Sequence, residues 1–191
     1  MREYWLDSDV LIWSKNNAYR LNAPHAKHFW HLLERGLEEG LIKITRRNFL
    51  EIMKGRDKKG KKKGERDEEK PDELAIWLQH QQERSPRNVG VSPDPEVERL
   101  AKSIGAYIYG NKDFVIRWVH EFARGADTWL IAQASISNGI VVTRETTLRP
   151  DAKRPIIPNL CDYYDVAFVS MFDMLDQLEA ALNKPKPGSL F

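Results

Sequence analysis

A short apolar run that stops on a pair of acids constrains this chain most. Tyr4-Trp5-Leu6 leads into Asp7-Ser8-Asp9, and Val10-Leu11-Ile12 continues at once in a helix-like pattern. In an open α/β sheet, residues just past the carboxyl end of a strand face the crevice where ligands bind. A carboxylate there is badly placed for packing and well placed to hold a divalent cation. Three further acids stand in matching contexts: Glu51 in Asn48-Phe49-Leu50-Glu51-Ile52, Asp127 in Gly125-Ala126-Asp127-Thr128-Trp129-Leu130, and Glu145 in Val141-Val142-Thr143-Arg144-Glu145. Together they point to a metal-dependent nuclease.

The alternation of elements gives the scaffold. Strands are expected at residues 2–6, 41–44, 140–143 and 165–169, with a minor one at Ile156-Ile157. Helices are expected at 8–17, 24–39, 46–53, 72–82, 96–109, 113–123, 125–137 and 171–182, and Pro86 to Pro95 reads as a linker. Strands separated by helices imply a parallel sheet covered on both faces. A chain of 191 residues, 41% apolar with six Trp and seven Phe, can bury a core of its own. We therefore expect one domain over residues 1–182 and a loose tail over 183–191.

Charge is unevenly placed. The net charge is only +2, yet Lys54 to Lys70 carries nine Lys and Arg against five Asp and Glu. Residues 55–70 contain no apolar side chain and read as a mobile insertion. Lys58, Lys59, Lys61, Lys62 and Lys63 are its candidate phosphate contacts, which would act by counterion release without reading sequence. A single cysteine, Cys161, excludes an internal disulfide and suits a reducing compartment. No stretch approaches 18 uninterrupted apolar residues and no secretory leader is evident, so a cytoplasmic protein away from membranes is expected.

Each acid also has a plainer reading. Asp7 could cap the helix that follows, although Ser8 or Asp9 could do so in its place. Asp9 reads equally as a cap or as a residue supporting the metal ligands. Glu51 could be a solvated helix residue, and Asp127 an acid favoured in a first helical turn. The helix after Asp127 is nevertheless largely apolar, and Glu145 lies just outside a strand end. Phosphodiester hydrolysis with two metal ions needs several carboxylates converging on cations about 4 Å apart. Without metal such carboxylates repel, and at least one pKa should rise.

Taken in order, these segments resemble a known family. Asp7-Ser8-Asp9-Val10-Leu11-Ile12 is similar to the opening motif of PIN domains, D-x-N/S-x-L-I. Asp127-Thr128-Trp129-Leu130-Ile131-Ala132 resembles their third motif, Glu51 takes the place of the helix-borne second acid, and Thr143-Arg144-Glu145 resembles their strand-end T-x-D with Glu for Asp. The resemblance runs over about residues 2–182. It implies a three-layer α/β/α sandwich with a central parallel sheet, and a Mg²⁺- or Mn²⁺-dependent endoribonuclease. It further implies the toxin of a toxin–antitoxin pair, with an RNA substrate, a cognate antitoxin and a homodimer as partners. Asp7, Glu51, Asp127 and Glu145 would be the catalytic metal ligands, supported by Asp9 and Thr143. Asp162 or Asp165 could replace Glu145 as the fourth acid. Asp9 departs from the common Asn of the motif, and 55–70 is an insertion.

Other readings are poorer. A catalytically degenerate PIN-like module that binds nucleic acid or protein would need only the basic loop and exposed aromatics. Asp7-x-Asp9 also resembles the aspartyl phosphotransferases of the haloacid dehalogenase superfamily, but Leu11 stands where Thr or Val is expected. His25, His28 and His31 recur every three residues and read as surface or core-edge histidines rather than zinc ligands. Cys161 has no His nearby in sequence and reads as structural.

Overall fold

A computed structural model describes residues 2–54 and 72–183. The basic insertion, including the five candidate lysines, and the tail from residue 184 lie outside the described residues. Five short strands form the core of the chain: β1 (Tyr4–Leu6), β2 (Ile42–Thr45), β3 (Val89–Val91), β4 (Ile140–Val142) and β5 (Ala167–Val169). All pairings are parallel, in the order β3-β2-β1-β4-β5. From β1 the chain adds β2 and β3 on one side, then returns to lay β4 and β5 on the other. The reversal falls between β1 and β4, and a crevice opens at the carboxyl end of such a switch point.

Nine helices among the described residues cover the sheet: α1 (Ser8–Asn16), α2 (Lys27–Glu38), α3 (Arg46–Met53), α4 (Glu73–Arg84), α5 (Pro95–Gly110), α6 (Ile116–Arg124), α7 (Asp127–Ile136), α8 (Ile157–Tyr163) and α9 (Met171–Leu182). Successive residues of a strand point to opposite faces, and the core divides accordingly. Tyr4, Leu6, Ile42, Ile44 and Val142 face α1–α4 and α9, whereas Trp5 and Val141 face α5–α8. The fold is thus the expected three-layer α/β/α sandwich. Because β1 is buried on both faces, its run reads as continuously apolar, and the first polar side chain after it is Asp7 at the crevice.

Two segments differ from the sequence reading. The expected linker Pro86–Pro95 holds edge strand β3, whose Val-Gly-Val bends through Gly90 at φ +74°, beside a register shift at Ile44/Thr45. One glycine in three residues leaves no alternation to recognise. The expected minor strand at Ile156-Ile157 is instead the entry to α8, with Pro158 in the first turn. Proline lacks only an N–H that has no helical partner there, so it opens a helix as readily as it breaks one. Smaller shifts occur at several ends. The helix expected from residue 113 starts at Ile116, and the one expected from Pro24 begins with a 3₁₀ turn, Pro24–Ala26.

Candidate active site

Asp7 enters the site because the sheet delivers it there. Its N–H donates to the carbonyl of Val142, 3.0 Å away, which ties the ends of β1 and β4 together. Its carboxylate caps α1, accepting from the N–H of Asp9 at 3.3 Å. The capping role that Ser8 or Asp9 could have filled thus belongs to Asp7 itself. Asp7 is buried, and the Thr143 hydroxyl lies 3.4 Å from its second oxygen. Loss of water pushes its carboxyl up to about 7, with the charges of Asp9, Glu51 and Glu145 adding to the rise and the Asp9 N–H opposing it.

The other three acids reach the same crevice from different elements. A cavity of about 300 Å³ is lined by Asp7, Asp9, Glu51, Asp127 and Glu145 together. Glu51 comes from α3, where Thr45 caps the helix by accepting from the N–H of Asn48, and it accepts a 2.7 Å hydrogen bond from the Ser8 hydroxyl. Asp127 opens α7, and Glu145 follows β4 across a turn in which the Thr143 hydroxyl accepts from the Glu145 N–H at 3.2 Å. Thr143 therefore bridges two of the acids. Asp162 and Asp165, the alternatives for the fourth place, are exposed and line no part of this cavity. They precede β5, at the amino end of the sheet, because every strand runs the same way.

Several functional candidates carried no signal that the motifs captured. Arg154 pairs with Glu145 at 2.8 Å, and Arg144 pairs with Asp9 at 2.9 Å while its guanidinium lies 4.7 Å from the centre of the Trp13 ring. The charge of Asp9 is thus answered by Arg144. Trp118, Glu121, Phe122 and Gly125 form another wall of the cavity. Their spacing (i, i+3, i+4, i+7) is one helical face, a signal present in the sequence but indistinguishable there from ordinary amphipathicity. His25, His28 and His31 are all exposed on the far helices, and Cys161 is buried with its thiol pushed up to about 12 by loss of water. Both observations agree with the plain readings of those residues.

The donor chemistry of the crevice fits a hard divalent cation, since carboxylate oxygens are the ligands that Mg²⁺ and Mn²⁺ prefer. Asp7 is the strongest sign, being a buried acid whose proton a cation would displace. The side chains are not gathered into a finished cage. Among the described residues no three of His, Cys, Asp or Glu stand close enough to hold one ion. Glu51 is turned to Ser8 and Glu145 to Arg154, so a shared cation requires side-chain rotation within the crevice.

No helix among the described residues is long and apolar enough to cross a membrane. Comparison with curated proteins and with solved structures gives no match. A family model described as a domain of unknown function (DUF4411) matches residues 4–182, from the first strand through the last helix. The chain belongs to that family.

Proposed function

We propose that the chain is a Mg²⁺- or Mn²⁺-dependent endoribonuclease of the PIN-like kind. One observation carries the reading: four carboxylates from four separate elements line one crevice at the switch point of a parallel sheet, and one of them is buried at an energetic cost. Packing alone does not call for such a convergence. Asp7, Glu51, Asp127 and Glu145 are the residues that would hold the cation. When bound, the ion supplies an acidified water nucleophile and neutralises charge developing on the phosphate.

The remaining steps belong to the chain. Thr143 orients Asp7 and the turn that carries Glu145. Ser8 holds the Glu51 carboxylate in place through its hydroxyl. Arg154, which lines the same cavity, would offer its guanidinium to a phosphate oxygen. The resemblance to PIN domains in the ordered motifs supports RNA as substrate and a toxin held by a cognate antitoxin. A neighbouring gene for a small DNA-binding protein is the context expected for that role.

A second reading has its own observation. Arg154 already pairs with Glu145, one of the four acids, and Arg144 with the neighbouring Asp9, which is the arrangement expected of a degenerate PIN-like module that binds without cleaving. Incubating single-stranded RNA with the protein separates the two. The nuclease reading expects cleavage with Mg²⁺ or Mn²⁺, loss of it in EDTA, and loss of it in Asp127→Asn. Intact RNA under all metal conditions, or equal cleavage by the variant, assigns the chain to the second reading.

A further inference from the structure

The crevice is not lined by polar groups alone. Beside the carboxylates stand Trp118, Phe122, Pro155 and Ile157, with Glu121 on the same helical face as the two aromatics. Phe122 and Ile157 are buried in the core between α6 and α8, so they serve as backing. Trp118 is only half-buried. The Arg117 guanidinium lies 4.2 Å from the centre of its ring. Trp118 itself lines the cavity, so part of its half-buried side chain borders that space. An aromatic surface facing a polar, acid-lined space is poor packing, and it is what a stacking platform for a nucleobase requires.

A second cavity of about 170 Å³ continues past Glu145, which lines both. Its walls include Arg144, Thr146, Thr147 and Arg149, so beyond Glu145 the surface changes from carboxylates to guanidinia and hydroxyls. The loop that carries them is held in place. The Asn159 side chain accepts from the Arg149 N–H at 2.9 Å and donates to the Arg149 carbonyl at 2.6 Å. On the other side, the N–H of Val115, just before α6, donates to the Lys153 carbonyl at 2.8 Å and fixes the Trp118 helix to the Arg154 segment. Trp118 and the acids thus line one cavity and the arginines an adjoining one, with Glu145 common to both.

We propose that these adjoining cavities take a single-stranded nucleic acid, with one unstacked base against Trp118 and the next phosphate against Arg144 and Arg149. The inference rests on the nuclease reading for the place of the reacting phosphate and adds the substrate class and its specificity residue. A duplex is disfavoured because its bases must first be unpaired and unstacked, at a cost of a few kcal/mol. Stacking accepts any base, so the site selects strand state rather than sequence.

The test uses the full chain carrying Asp7→Asn, so that the probe stays intact, and a fluorescent single-stranded oligoribonucleotide read by anisotropy. Adding Trp118→Ala should weaken binding roughly 5- to 150-fold, with its salt dependence unchanged. Trp118→Phe should restore most of the affinity, which a merely structural loss would not do. Arg149→Ala should instead flatten the salt slope by about 0.7. A hairpin of the same composition should bind more weakly than the single strand. Unchanged affinity in Trp118→Ala, no rescue by Phe, or equal binding of the hairpin would overturn the proposal. Cleavage by the unmodified chain is scored separately. Cleavage with no role for Trp118 sinks this inference alone, and Trp118-dependent binding without cleavage sinks the nuclease reading alone.

Discussion

At the amino edge of the sheet, the Trp5 indole N–H donates to the Ser137 hydroxyl at 2.8 Å, and Arg2 clasps the side chain and carbonyl of Asn138. Asn138 turns through φ 52°, and Gly139 passes so close to Trp5 that an added Cβ would lie 2.6 Å from the ring. At the carboxyl edge of the same strands, Asp7, Glu51, Asp127 and Glu145 share one crevice and Asp7 is buried among like charges. One edge is satisfied group by group, and the other carries unfavourable electrostatics that the rest of the fold must offset. On the proposed reading, stability and chemistry fall at opposite ends of β1 and β4, only a few residues apart. Substitutions at the two edges should fail in different ways.

The largest expected effect lies at the acid edge. Asp7→Asn keeps the shape and the cap of α1 while removing the charge, and should slow metal-dependent RNA cleavage roughly 10²–10³-fold, or about 3–4 kcal/mol of transition-state stabilisation. The variant should be at least as stable as the parent in the absence of metal. An Asn variant that unfolds would place Asp7 with the structural residues of the opposite edge.

The second effect is on pH dependence, read as the denaturant midpoint in EDTA. The folded carboxyl of Asp7 titrates near 7 rather than 3.8, so the folded state holds this proton more tightly than the unfolded chain. Its contribution to stability is complete below the unfolded value and is lost as pH rises through about 7, a change of a few kcal/mol. Asp7→Asn should remove that part of the slope. An identical pH profile in the two proteins contradicts the burial argument.

At the amino edge, Gly139→Ala should destabilise by about 1–3 kcal/mol, because a methyl group is forced against Trp5 and the Glu3 carbonyl. Thermal melts should show it, while the cleavage rate of the folded fraction stays as in the parent. The smallest effect belongs to Ser8→Ala, which removes the hydrogen bond to the half-buried Glu51. It should shift stability by about 1 kcal/mol and lower activity far less than Asp7→Asn.

The two edges were also unequally legible in the sequence. Glu51 sits within α3 and is picked out only by its place in the ordered motifs. Asp7, Asp127 and Glu145 stand out because each lies at or just beyond an element end, and such local patterns survive in one dimension. The central strand β1 is legible for the same reason, since burial on both faces leaves no polar residue within it. The arginines that answer Asp9 and Glu145 are not legible, because nothing local couples Arg144 to a residue 135 positions away. Trp118 and Glu121 look like any amphipathic helix until α6 is seen beside the crevice. Edge strand β3 and helix α8 were hidden by Gly90 and Pro158, residues that usually interrupt the element they here belong to.

The contrast between the edges depends most on whether the acid edge holds a cation. Titrating Mn²⁺ into the metal-free protein by isothermal calorimetry tests this without relying on a substrate. The account predicts a saturable heat with the parent chain, reduced at least tenfold in affinity by Asp7→Asn and by Asp127→Asn but not by Gly139→Ala. No binding by the parent, or equal binding by the Asn variants, would contradict it.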